Sequence, residues 1–371
     1  MNHSPHDRVD PRAWLLWGAA ASLPPLLGRN PLILSATLLA VIGVRAARGS
    51  SGLVGWNGIV RIACIFALAS VLFNALTVHI GDRPIAHLPD SWPVLGGPIT
   101  LNAIVYGLLS GAAMLILVLV GATLGAVLDG PALLRLLPAR LTTVAVAGSV
   151  AWGFVPQTAL AFRQIREAQA ARGHRLRSVR DLVPLLVPLI TIGLERAMTL
   201  AEALEARAFG APVGGADRSS AGRGLLVAAG LAGGTVGAYL LAAGSPRPAL
   251  GLLAGSLVAL VLGSREPASN GVHRTRYRQP RWNPASIVVA GSGSIVLLME
   301  LAVLVVEPLS FAYEPYPRIL APRVDLPLMI SLAILLAPAF LSPPRLVETT
   351  TAPDTRLAWD IDNHGRHGEW T

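Results

Sequence analysis

The chain has 371 residues, of which 53% are hydrophobic and 14% charged, with a formal charge of +9. A soluble domain carries about a quarter charged residues, so this composition excludes a string of soluble domains and points to a protein that lives in a bilayer. All 30 basic residues are arginine and Cys64 is the single cysteine, which excludes a phosphate loop of the G-x-x-x-x-G-K-[ST] kind, a Schiff-base lysine, an internal disulfide and a zinc ribbon.

Residues 1–10 carry charges of both signs and run, without a small-residue cleavage site, into the first apolar segment, which reads as an uncleaved span. Segments 13–27 and 31–46 form a tight helical pair with Gly28, Arg29 and Asn30 as the turn, and Pro24 and Pro25 predict a kink in the first. Segments 56–78 and 100–128 follow, separated by a polar loop that contains Pro84 and Pro98. Beyond a long middle region come 224–243, 249–263, 286–306 and 326–341. A bilayer is crossed by about 20 apolar residues, so the expected fold is all-α: a polytopic membrane protein of about eight transmembrane helices plus long interfacial helices.

Two more apolar segments, 143–162 and 182–199, would raise the count to ten. Arginine argues against it. If both crossed, the loop between them, 163–181, would lie outside while carrying Arg163, Arg166, Arg172, Arg175, Arg177 and Arg180, whereas short cytoplasmic loops are the ones enriched in basic residues. With both segments kept at the inner interface, Arg8, Arg12, Arg45, Arg48, Arg135, Arg140 and the basic stretch 265–281 are all cytoplasmic, as are both termini. The expected location is the cell's inner (plasma) membrane. The predicted organisation is a four-span part at 1–142, a cytoplasmic helical region at 143–223, a two-span part at 224–263, a basic loop and two further spans at 264–341, and a polar, disordered tail at 342–371.

The middle region writes one pattern twice. Glu167-Ala-Gln-Ala-Ala171-Arg172-Gly173 and Glu202-Ala-Leu-Glu-Ala206-Arg207-Ala208 lie 35 residues apart, from 167 to 202. In each, alanines keep one helix face small and the arginine falls where the helix stops, before Gly173 in one copy and three positions before Gly210 in the other. A single arginine in a last turn does no more than complement the helix dipole, for about 0.3–1 kcal/mol. Two such ends, flanked by apolar helices, suggest two equivalent receptor sites.

These residues, with the opening Val9-Asp-Pro-Arg12 and the segment Gly153-Phe-Val-Pro-Gln157, resemble the transmembrane T component of energy-coupling factor transporters, the cobalt transport permease family, over roughly residues 9–263. The resemblance implies an ATP-driven importer in which this chain has no enzymatic activity and no cofactor of its own. Two cytoplasmic coupling helices would dock on two ATPase subunits that carry the ATP, and a small substrate-capturing membrane subunit would hold the vitamin or metal ion. It also implies that Ala171, Arg172 and Gly173, and Ala206, Arg207 and Ala208, form the ATPase-coupling motifs, supported by Glu167, Glu202 and Gly210. The second copy departs from the family pattern with Ala208 in place of glycine, so its helix is free to continue, and the spans after residue 263 are additional to the family-like core.

Other readings stay open on the residues alone. Glu167-Ala168 with Gly173 and Val183-Pro184 also imitates the single ATPase-contacting loop of a binding-protein-dependent permease. Glu300 in the seventh span is a candidate proton or cation site that would suit a secondary transporter, and a scaffold without ATPases is a further alternative. A membrane enzyme finds no HExxH or CxxC. His3 with His6, His364 with His367, and His79 with His87 are weak metal pairs. Asn74 and Arg61 are polar positions in the third span, and the glycines from 230 to 237 predict close helix packing.

Overall fold

The computed structural model describes residues 9–48, 56–89, 96–128, 130–134, 136–137, 142–173, 182–207, 219–264 and 282–341. The described chain is almost wholly helical. In order, its helices are α1 (Pro11–Leu27), α2 (Pro31–Arg48), α3 (Trp56–Thr77), α4 (Leu101–Val127), α5 (Gly130–Leu134), α6 (Thr142–Ala171), α7 (Val183–Glu205), α8 (Ser219–Ala242), α9 (Pro246–Ser264), α10 (Pro284–Val306) and α11 (Leu326–Ile334). Between α3 and α4 lie two short antiparallel strands, β1 (Pro84–Leu88) and β2 (Gly97–Thr100), with Pro84 opposite Thr100 and Leu88 opposite Gly97.

Asp10 starts the first helix. Its carboxylate accepts from the Arg12 amide at 2.9 Å, which satisfies one of the open N–H groups of the first turn. The backbone N–H of Asp10 donates to Ser286 Oγ at 2.9 Å, at the start of α10. Seven residues further along both helices, a Cβ built on Gly293 would lie 2.6 Å from Trp17 N and 2.7 Å from Trp17 Cα. The pairs 10 with 286 and 17 with 293 share one offset, so α1 and α10 run parallel with their backbones in near contact. On the other side of α1, Trp14 and Trp17 are fully buried in an edge-to-face pair at 5.6 Å. Trp17 Nε1 donates to the carbonyl of Leu335 at 3.0 Å, past the end of α11.

The buried core is built from α1, α2, α4, α10 and α11, with Ile33, Leu34, Val41 and Val44 from α2 meeting Ile116, Leu119 and Val120 from α4 and Leu328 and Leu332 from α11. The spans expected as an addition beyond residue 263 thus supply part of the same core as the opening helices. Segment 307–325 folds back over the ends of these helices. Asn30 Nδ2 donates to the carbonyls of Ser310 and Arg323, both at 2.9 Å, and Asn102 Nδ2 reaches the carbonyls of Pro315 at 2.6 Å and Pro317 at 3.0 Å. Two hairpins complete the fold. Gly107 and Gly111 of α4 face Val71 and Ala67 of α3 at 2.8 Å from an added Cβ, and Gly230, Gly234 and Gly237 of α8 face Leu260, Ser256 and Leu253 of α9. The glycine run of α8 therefore serves close packing, as expected.

Among the described residues, seven helices are long and apolar enough to cross a membrane: α3, α4, α6, α7, α8, α9 and α10. The chain is an all-α, multi-pass membrane protein. The set differs from the sequence expectation in four places. Segment 31–46 becomes α2, whose apolar stretch Pro31–Ala47 is shorter than the seven. Segment 13–27 becomes α1, a 17-residue helix whose tryptophans and prolines lower its hydropathy; it faces protein along Trp14, Trp17, Ala20 and Ala21. Segment 326–341 is not one helix. It breaks after Ile334 into a separate 3-10 turn at Ala337–Phe340, because Pro338 has no N–H to return to the Ile334 carbonyl. Segments 143–162 and 182–199, expected at the interface, extend into α6 and α7 with the length and composition of spans. The strands β1 and β2 replace the expected irregular loop. The tail, the basic stretch 265–281, and His3, His6, His364 and His367 lie outside the described residues.

The α1–α10 contact yields a direct test. Gly293→Ala must push backbone against backbone, costing about 1–3 kcal/mol, whereas Gly291→Ala, with open space around it, should be neutral. Thermal melting of the purified protein in detergent checks both; equal midpoints for the two variants would contradict the packing.

Candidate docking site

Each repeated motif sits at the C-terminal end of one of the two long middle helices. The first helix, α6, has 30 residues and ends at Ala171. The Arg172 amide donates to the carbonyls of Ala168 at 3.3 Å and Gln169 at 3.1 Å, and the Gly173 amide to that of Ala170 at 2.9 Å. Gly173 has φ +84°, the left-handed conformation that terminates helices and that a Cβ disfavours. The motif's glycine thus turns the chain away immediately after its arginine. Ala171, Arg172 and Gly173 are all exposed.

The second helix, α7, has 23 residues and ends at Glu205, but Ala206 keeps a right-handed conformation at φ −56°, ψ −24°. Its amide donates to the Glu202 carbonyl at 2.9 Å, and Arg207 follows with a bond to Leu204 at 3.1 Å. The helical path therefore runs into Arg207 with no left-handed stop. Ala206 and Arg207 are exposed; Ala208 and Gly210 lie outside the described residues. Glu167 and Glu202, one turn before each end, are exposed as well.

What relates the two ends is the packing of α6 on α7. An open groove between them is lined by Ser149, Val150, Phe154 and Gln157 from α6 and by Glu195, Arg196, Thr199 and Ala203 from α7. Beside it, Phe162 and Thr158 approach Leu189. Early residues of α6 meet late residues of α7 and the reverse, so the helices are antiparallel and their C-terminal ends point away from each other. With residues 149–157 of α6 facing 195–203 of α7 across the groove, Arg207 is level with position 145 or so. Arg172 lies about 27 residues beyond that point, and at ~1.5 Å per residue the two arginines are about 40 Å apart along the pair.

Outside these ends the pair is apolar and open. Val155, Leu160, Val187, Ile190, Leu194 and Met198 are exposed. The short α5 braces α6, with Gly130 against the Trp152 ring at 2.8 Å from an added Cβ. Among the described residues, α6 and α7 touch mainly each other and α5. Of the groove's polar lining, the sequence reading named Gln157 within the family-like segment 153–157 but passed over Glu195 and Arg196; the signal was the adjacent charged pair inside an apolar segment. His79 and His87 lie in the same connection between α3 and α4 but differ in setting: His79 packs against Gly97, and His87 is exposed on β1. No group of three or more His, Cys, Asp or Glu side chains that could hold a metal is found among the described residues.

The family profile of CbiQ, cobalt transport protein, matches residues 2–213. The chain belongs to this family. The matched region covers more than half of the chain, contains both motifs, and stops before α8. Membership makes the chain a membrane component of cobalt transport. No curated protein matches it.

The termination of α6 can be tested in isolation from partners. Gly173→Ala forces a side chain into a left-handed residue and should weaken the last turn by about 1 kcal/mol, seen as roughly fivefold faster hydrogen exchange of the Arg172 and Gly173 amides. Gly173→Asn, which tolerates that conformation, should exchange more nearly like the wild type.

Proposed function

We propose that the chain is the transmembrane coupling subunit of an ATP-driven importer of the energy-coupling factor type. It joins two ATPase subunits to a separate membrane subunit that captures a vitamin or metal ion. The observation that carries this reading is the antiparallel α6–α7 pair with an exposed Ala-Arg end at each extremity: Arg172 at one and Arg207 at the other. Each arginine offers an always-charged fork to acidic groups in a receptor groove, and about 40 Å between them suits two separate receptors better than one. ATP binds and is hydrolysed on the partners, and the chain itself carries no cofactor. Closure of the ATPase pair would draw the two helix ends together, and this motion would pass through α6 and α7 to the captured subunit.

The reading requires α6 and α7 to lie along the inner membrane surface. An antiparallel pair that crossed the bilayer would put Arg172 and Arg207 on opposite sides, since about 40 Å is close to the full thickness of a bilayer with its headgroups. Only one of them could then meet a cytoplasmic ATPase. Retention of residues 163–181 on the arginine-rich side, in the inner membrane and with both termini cytoplasmic, keeps both available.

Topology and anchoring are separately testable. In a Cys64→Ser background, required because Cys64 is exposed, Ser178→Cys should resist a membrane-impermeant thiol reagent in intact cells and react after permeabilisation. Efficient labelling from outside would place α6 and α7 across the membrane and end the paired-anchor reading. Removing one partner of a buried interfacial charge pair costs about 2–5 kcal/mol, which is about 30-fold or more in affinity. Arg172→Ala and Arg207→Ala should each weaken ATPase co-purification and substrate uptake by that order, the double variant more, with expression and membrane insertion unchanged. Arg247→Ala, an exposed arginine at the start of α9, is the control; a double variant indistinguishable from it would overturn the assignment.

A further inference from the structure

Glu300 is the one acidic residue within α10, and its side chain is fully buried. Neither Oε1 nor Oε2 has a hydrogen-bond partner. An ionised carboxylate in that position would be stripped of water with no donor in return, which is far more costly than burial of the neutral acid. Among the described residues, the elements packed on α10 offer no free compensating charge; Arg29, in the turn after α1, is engaged with the carbonyls of Pro25 and Gly28 and with Ser110 Oγ. The only ionisable side chain of α1 is Arg12, opposite position 288 and therefore 12 residues, or about 18 Å, away from Glu300. Helix α11 and the 3-10 turns Pro308–Ser310 and Ala337–Phe340 contain none. The flanking Glu307 is exposed and Asp325 caps α11 through the Leu328 amide. Arg247, the only charge in α9, is exposed.

Across the seam is what a neutral acid needs. The offset of 276 residues that pairs Asp10 with Ser286 also pairs Trp17 with Gly293, and it sets Glu300 level with Pro24. Glu300 lies on the same face as Gly293, two turns on. A helical side chain leans toward the N-terminus of its own helix, which carries the carboxyl back to the level of Ala20 and Ala21. Both alanines are fully buried. Their carbonyls are the two that Pro24 and Pro25 leave without the usual helical N–H, because proline has none. One element lacks two donors and the facing element holds an acid with no donor of its own.

We propose that Glu300 is a proton-binding site: its neutral carboxyl donates to the carbonyl oxygens freed at Ala20 and Ala21 and latches α10 to α1. Loss of the proton leaves a buried carboxylate facing two carbonyl oxygens, all repelling, and the seam opens to admit water or a cation. The latch exists only while the proton is bound, so whatever it adds to stability goes with that proton. Stability from this site is therefore present at low pH and is lost as pH rises.

The test compares the full chain with Glu300→Gln, which keeps a donor but cannot ionise, and with Glu307→Gln as an exposed control. In detergent, the wild type should lose folding equilibrium relative to Glu300→Gln by up to about tenfold per pH unit as pH is raised from neutral to alkaline, while Glu307→Gln tracks the wild type. Parallel profiles for wild type and Glu300→Gln, or a Glu300→Gln variant less stable at every pH, would overturn the proposal. If Glu300→Gln does not fold, infrared spectroscopy of the wild type decides. A protonated-carboxyl absorption persisting at neutral pH and disappearing at alkaline pH supports the site, and absence of that absorption at neutral pH refutes it.

Discussion

The close approach of Gly293 to the backbone of Leu16 and Trp17 is the contact on which the rest of the membrane core depends. In a bilayer, apolar side chains gain little by leaving lipid for one another, so helices associate through close backbone approach and hydrogen bonds made inside the protein. The α1–α10 seam uses both. Glycine removes the side chain that would hold the helices apart, and the Asp10 amide on Ser286 and the Trp17 indole on Leu335 supply polar contacts at either side of it. Once α1 and α10 are fixed in parallel, α4 and α2 close one flank and α11 the other.

The same rule accounts for the cap over these helix ends. Asn30 and Asn102 satisfy carbonyls of segment 307–325 that would otherwise face an apolar surround. The turn between α1 and α2 is thereby tied to the connection between α10 and α11. Gly28 sits so close to the Phe311 carbonyl that an added Cβ would clash with it at 1.8 Å. The turn at 28–30 and segment 307–325 form one unit, although the family match ends at residue 213.

The α6–α7 pair is held differently. Its large apolar side chains are exposed and its packing within the described chain is mostly internal. Elements with few buried contacts are the ones that move at least cost, and a coupling element must move while the core that anchors it does not. A five-helix core beside a loosely attached antiparallel pair would suit the coupling role proposed above.

Much of this was legible in residue order. Composition declared the bilayer, since apolar runs of span length admit few other structures, and the pairing of Ala171-Arg172-Gly173 with Ala206-Arg207 marked the ends of α6 and α7 to within a residue, because glycine and helix-end chemistry act locally. Local signals also explain the glycine face of α8. What residue order could not give was distance between segments. The burial of α1 and the place of α10 beside it follow from contacts nearly 300 residues apart, for which hydropathy has no term. The antiparallel sense of α6 and α7, which separates their two arginines, and the meeting of Glu300 with the proline-freed turn of α1 are likewise relations between helices. Sequence determined which groups could bond, and tertiary structure alone decided which of them face each other.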